Sequence, residues 1–309
     1  MSQASTTLYP HKTKRSHPSK STFGHASYAA VRPTYPRSLY DRVLKYHQGP
    51  KSLCLDLGCG HGLVARELAP SFTKTIGIDP SEGMIETAHK LTPSDKFPNL
   101  GYKVSSAEDL SFVADASVDM VVAGQAAHWF DYPKLFGELN RVVRPRGTLA
   151  FWGYKDHAFV EHAYATRVLD EYTYSADPGK LGPYWPQPGR SIIQDKLRAM
   201  KPDGYGWGDV QRLEYEPSTE GKGKGQGTMF MNRRCTVGEC KSYCRTWSCY
   251  HGWMEAHPDR KARKDGGEGD VVDELVDWIA EKVPEFKDEG FEVEIEWGSA
   301  LVMARKGDV

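Results

Sequence analysis

The run KSLCLDLGCGHG at 51–62, followed by KTIGIDPSEGM at 74–84, sets the fold. An apolar stretch ends in glycines at 58, 60 and 62. Leu63, Val64, Ala65, Leu68 and Ala69 then recur at helical spacing, which reads as strand, turn, helix. KTIGID (74–79) is a second apolar strand, and SEGMIETAHKL (81–91) is a helix with Ser81 as its cap. LGYKVSS (100–106), SVDMVVAG (117–124) and TLAFWGY (148–154) read as further strands, with YPKLFGELNRVV (132–143) as the helix before the last. Strands alternating with helices predict an α/β fold built on a doubly wound, mostly parallel sheet over 51–155.

Beyond about 155 the alternation stops. Residues 151–260 carry five of the eight Trp and nine of the sixteen Tyr, with the Pro- and Gly-rich LGPYWPQPGR at 181–190. That concentration predicts an aromatic insertion, 156–268, forming a lid over an acceptor pocket without a core of its own. DVVDELVDWIAEKV (270–283) places Val271, Leu275, Ile279 and Val283 on one helical face, and FEVEIEW and ALVMARK read as a closing strand pair at the sheet edge within 269–309. Upstream, 1–22 has little to bury and reads as a disordered basic tail, and 23–50 as a cap segment.

Forty Lys and Arg against 41 Asp and Glu leave a formal charge of −1, which argues against a nucleic-acid partner. No run approaches the roughly 20 apolar residues of a membrane helix. Six cysteines are too few for a disulfide scaffold, so a reducing cytosol is the expected compartment. Cys235, Cys240, Cys244 and Cys249 lack paired C-x-x-C spacing, and a helix would set Cys240 about 16 Å from His251, so no metal is expected. GKGKGQGT likewise fails the spacing of a phosphate-binding loop.

Glycines after a first strand let a ligand approach backbone N–H groups at a helix N-terminus, and Asp79, ending the second strand, can accept both hydroxyls of a ribose. A dinucleotide site wants its third glycine one residue later, where Leu63 stands, and the acid Asp56 suits an amine better than a pyrophosphate. S-adenosylmethionine is therefore favoured over NAD. An NAD(P)-dependent oxidoreductase and a non-catalytic binding protein are the rival readings.

With SAEDL (106–110) and AAHWFD (126–131), these motifs resemble those of the class I S-adenosylmethionine-dependent methyltransferases. TFGHASYAAVRPTYP, AGQAAHWFD, LGPYWPQPGR, YCRTWSCYHGW and EVEIEW resemble, within that class, the fungal enzymes related to yeast trans-aconitate methyltransferase. The resemblance implies a Rossmann-like methyltransferase sheet and methyl transfer to an oxygen of a small acid, most simply a carboxylate. It implies that Gly58 and Gly60 line the methionyl part, Asp56 meets its amine, and Asp79 takes the ribose. Met84 would pack on the adenine, with Ser106, Ala107 and Glu108 at its edge. Tyr28 and Arg32 would cover the sulfonium and carboxylate. Gln125 would also face the cofactor, where a yeast relative carries an acid.

His128 stands where the methyl group should emerge. For an ionised carboxylate it would only bind, and for an enolic or phenolic hydroxyl it would act as base. Trp129, Tyr184, Trp185, Trp247 and His251 are candidates for the acceptor wall, and Arg190 for clamping a second carboxylate.

Overall fold

The computed structural model describes residues 32–308, so Tyr28 and the 1–22 tail lie outside the described residues. The apolar runs form the strands β1 (Leu53–Leu57), β2 (Lys74–Asp79), β3 (Leu100–Val104), β4 (Val118–Gly124) and β5 (Val143–Phe159), parallel in the order β3-β2-β1-β4-β5. They are flanked by α1 (Arg37–Tyr46), α2 (Leu63–Leu68), α3 (Glu82–Lys90) and α4 (Tyr132–Val142). Leu55 and Leu57 contribute to one buried cluster, and Cys54, Met120 and Val122 to another, as period-two alternation requires of a sheet covered on both faces. The chain leaves β1 toward β2 on one side and returns to β4 on the other. Ligands bind outside the carboxyl ends of strands at such a switch point.

After β5 come α5 (Ala163–Tyr174), α6 (Gly189–Gln194), β6 (Trp207–Glu216), β7 (Gln226–Gly227), β8 (Asn232–Thr236), α7 (Val237–Cys244), α8 (Ser248–Ala256), α9 (Val271–Ala280) and β9 (Glu292–Lys306). Two expectations are corrected here. The closing strand pair is one 15-residue strand, β9, which lies between β5 and β6 and also pairs β8, so it is interior. Gly298, between the two expected strands, is a place of close approach. A Cβ there would drive into the aliphatic stem of Lys155.

The aromatic insertion, expected to have no core of its own, has one. Leu169, Cys244, Trp247, Trp253, Leu275 and Trp297 belong to a buried cluster made by this segment and the C-terminal elements, and β6 and β8 extend the main sheet through β9. Within it Val271, Leu275 and Ile279 of α9 are buried on the face the periodicity marked. Asp270 caps α9 in a reciprocal capping box with Asp273, and both carboxylates pair with the buried Arg245.

Candidate active site

The turn after β1 holds Gly58, Gly60 and Gly62 at φ +67°, +53° and +83°. A Cβ on Gly58 would lie 2.5 Å from that of Ala126, so the glycine turn rests directly on the turn after β4. A Cβ on Gly62 would overlap the Tyr102 hydroxyl of β3, which gives the early third glycine a packing role. Around Gly60 the space is open, with nothing within 4 Å of such a Cβ.

Asp79 is half-buried beside that opening, its carboxylate accepting from the Gly60 N–H at 3.0 Å and the Ser81 N–H at 2.9 Å. Ser81 caps α3 through the Met84 N–H at 3.4 Å, which sets half-buried Met84 in the first turn. Asp56 is fully buried, and neither carboxylate oxygen meets a hydrogen-bond donor at bonding geometry among the described residues. Burial pushes its pKa up to about 7, opposed by the Ala65 backbone N–H and Arg66 and assisted by Asp79. An isolated buried carboxylate is costly unless a cation arrives. Together with the open cradle at Gly60 and the acceptor lone pairs of Asp79, it fits an amino-acid ammonium and a ribose.

Past β3, Ser106 is half-buried and Ala107 buried in the core. Half-buried Glu108 accepts from the Asp131 N–H at 2.8 Å, so it ties the segment after β3 to the turn after β4. That turn carries buried His128, 4.8 Å ring to ring from Trp129. Gly189, at the start of α6, closes over both, since a Cβ there would lie 3.1 Å from Trp129 and 3.3 Å from His128.

Three assignments change on the structure. Gln125, at φ +56°, donates from Nε2 to the Tyr154 carbonyl at 2.8 Å and accepts from the Tyr154 N–H at 2.7 Å. Both polar atoms of its amide are thus engaged with β5. Arg190 meets a carboxylate of the protein itself: its guanidinium pairs with buried Asp156, donates to the Tyr174 hydroxyl at 3.0 Å and lies 3.8 Å from the Trp185 ring centre. Tyr184 is half-buried against the second cluster, its hydroxyl donating to the Pro178 carbonyl at 2.9 Å and its ring edge-on to His257.

Trp185 and Trp247 remain together, 5.7 Å apart, with Tyr243 5.6 Å from Trp247. Arg32 reaches the same wall, its guanidinium 5.6 Å from the Tyr243 ring centre and bonded to the Thr246 carbonyl at 3.0 Å. His251 is half-buried nearby, and burial, then Arg32, lower its pKa against the pull of Glu255.

Sequence reasoning missed His157. It follows a register shift in β5, is 2% exposed, and is ringed by Phe159, Tyr243, Trp247 and Trp297 at 5.0–6.2 Å. Both ring nitrogens lack a hydrogen-bond partner among the described residues, and burial lowers its pKa to about 4 against the attraction of Asp156. The signal was available in KDHAF (155–159): adjacent Asp156 and His157 inside an apolar run are expensive to bury without a purpose.

A methyltransferase-domain family model matches residues 55–151. A probable S-adenosylmethionine-dependent methyltransferase of Saccharomyces cerevisiae is 31% identical over 292 residues, spanning 92% of this chain and 96% of that one. The chain belongs to the class I S-adenosylmethionine-dependent methyltransferases. A putative methyltransferase of Dictyostelium discoideum is 29% identical over 230 residues, 74% of this chain and 77% of that one. A solved putative type II methyltransferase from Anaeromyxobacter dehalogenans shares the fold at TM-score 0.63 and 25% identity, over 89% of this chain and 97% of that one. Membership makes S-adenosylmethionine the cofactor of this methyltransferase, and the nicotinamide reading is set aside.

Proposed function

We propose that this methyltransferase is an O-methyltransferase acting on a small molecule with a single acidic group, with His128 as the residue that meets the accepting oxygen. The observation that carries the reading is the position of His128: buried, at the carboxyl end of β4, in the turn on which the glycine loop rests. Bound between Asp56, Gly60 and Asp79, the cofactor supplies a methyl group already activated by a positive sulfur. His128 positions an ionised carboxylate, or takes the proton of an enolic or phenolic hydroxyl. Trp129, Trp185 and Trp247 exclude water and present aromatic faces to positive charge. Because Arg190 is neutralised by Asp156, a monoacid, enol or phenol is favoured over a diacid held at both ends. All six cysteines are free and buried, which supports a reducing compartment, and we place the enzyme in the cytosol.

The test is calorimetry with S-adenosylmethionine, S-adenosylhomocysteine, NAD and NADP, then turnover on matched monoacids, diacids and phenols. Adenosyl ligands should bind and nicotinamides should not. Replacing Asp79 by Ala should weaken S-adenosylhomocysteine by roughly 1–3 kcal/mol. With a phenol, kcat/KM should rise with pH to a plateau, and His128→Ala should remove that inflection. Methyl transfer to nitrogen or carbon alone, or full activity in His128→Ala on every oxygen acceptor, would overturn the proposal.

A further inference from the structure

At the opposite, amino-terminal edge of the parallel strands lies a cleft of about 240 Å³. It is lined by His47 ahead of β1, Asp119 on β4, Arg144, Arg146 and Gly147 at the start of β5, and Arg305 near the end of β9. The five residues of β1 separate it from the glycine turn by roughly 16 Å at about 3.3 Å per residue.

Asp119 is fully buried and accepts from the Ser52 and Leu53 N–H groups at 2.7 and 2.8 Å, while its other oxygen faces Arg144 at 2.8 Å. Arg144 also donates to the Ser117 carbonyl at 3.0 Å. Arg305 pairs with Asp209 and donates to the Tyr46 carbonyl at 2.6 Å. His47 adds no charge: one nitrogen meets the Pro50 carbonyl and the other the Thr148 hydroxyl, both at 2.8 Å, and burial lowers its pKa. Two carboxylates thus balance two of the three guanidiniums. Arg146 makes no ion pair or hydrogen bond among the described residues, and the buried Nε–H groups of Arg144 and Arg305 have no acceptor there.

The backbone supplies a separate indication. Arg146 stands at φ +62° in a Pro-Arg-Gly turn, a conformation that costs an L side chain about 1–2 kcal/mol and glycine almost nothing. A long cation held there at the mouth of a cleft is strain of the kind that accompanies binding sites.

We propose that this cleft is an oxyanion site, taking the phosphate or carboxylate of a small molecule between the exposed, unpaired Arg146 and the accessible edges of the Arg144 and Arg305 side chains that line it, apart from the methyl-transfer site. Planar guanidinium forks match either oxyanion, and the cleft has room for several waters' volume of ligand at about 30 Å³ each.

The test is thermal shift and calorimetry on the full chain with inorganic phosphate and with citrate. Chloride at equal ionic strength is the control, and saturating S-adenosylhomocysteine is present throughout. Wild type should gain melting temperature saturably with phosphate, citrate or both. A response to one alone assigns the ligand's headgroup. Arg146→Gly should melt no lower than wild type without anion, because glycine fits the turn, and should bind the anion at least tenfold more weakly. Arg146→Asn, neutral and tolerant of positive φ, should behave likewise. No response beyond chloride in wild type, or an equal response in both variants, would overturn the proposal.

Discussion

Arg190 and Asp156 form an ion pair in which each side chain is only 7% exposed, closed from one side by Tyr174 and stacked on Trp185. Burial alone would push the Asp156 carboxyl up, but Arg190 and the Tyr174 hydroxyl hold it below its usual value. Removing one partner of such a pair strands the other in low dielectric.

Arg190→Ala should therefore destabilise the protein by roughly 3–5 kcal/mol in urea unfolding, with the loss partly recovered in Arg190→Met combined with Asp156→Leu. The depressed carboxyl also fixes a sign. The stability it contributes is present above the unfolded value of about 3.9 and is lost as pH falls through the lower folded value. A loss under about 1 kcal/mol in Arg190→Ala would mean that water screens the pair.

Asp56 works in the opposite sense. Its folded pKa of about 7 lies above the ordinary 3.8, so between those values the folded chain binds more protons and its stability falls as pH rises. A ligand ammonium favours the ionised form, so S-adenosylhomocysteine should bind more tightly as pH rises toward 7 and level off above it. Calorimetry in buffers of different ionisation heat should detect proton release. Asp56→Asn should flatten the profile, and a flat wild-type profile would separate Asp56 from the ligand amine.

What the sequence made legible was local. The glycine turn, Asp79 and Ser81 follow strand ends whose apolar runs announce themselves, so their places were readable from spacing, whereas His128 was singled out through the family resemblance. Arg190 was misread because its partner lies 34 positions upstream, and no periodicity links a loop arginine to one aspartate in a strand. The expected strand pair is one strand because Gly298 and Ser299, which separate its two apolar runs, stay in the ladder, where a glycine fits the close approach of Lys155. The second buried cluster escaped because its apolar residues come from four helices, three strands and the loops between them, with no common period.

His157 should report its cage in a stability profile. Its folded pKa of about 4 lies below the usual 6.5, so the unfolded chain binds more protons between those values and stability declines as pH falls through that window. The loss is at most about 3 kcal/mol. His157→Phe fills the same aromatic space without unpartnered nitrogens. It should be at least as stable as wild type at pH 7 and lose less stability on acidification to pH 5. Strong destabilisation at pH 7 would mean that the imidazole is hydrogen-bonded in solution.

Gln125 distinguishes a strand clamp from a cofactor contact. Its amide both donates to and accepts from the Tyr154 backbone, a pairing that an ionised carboxylate cannot make because it has no proton for the carbonyl. Gln125→Glu should cost roughly 1–3 kcal/mol at pH 7. The penalty should vanish below the unfolded carboxyl value of about 4.3 and grow as pH rises through the raised folded value. Binding of S-adenosylhomocysteine should change by less than threefold, because the polar atoms face β5 and not the opening at Gly60. An affinity loss above tenfold with unchanged stability would return Gln125 to the cofactor site, and denaturant unfolding beside calorimetry on the one variant separates the two outcomes.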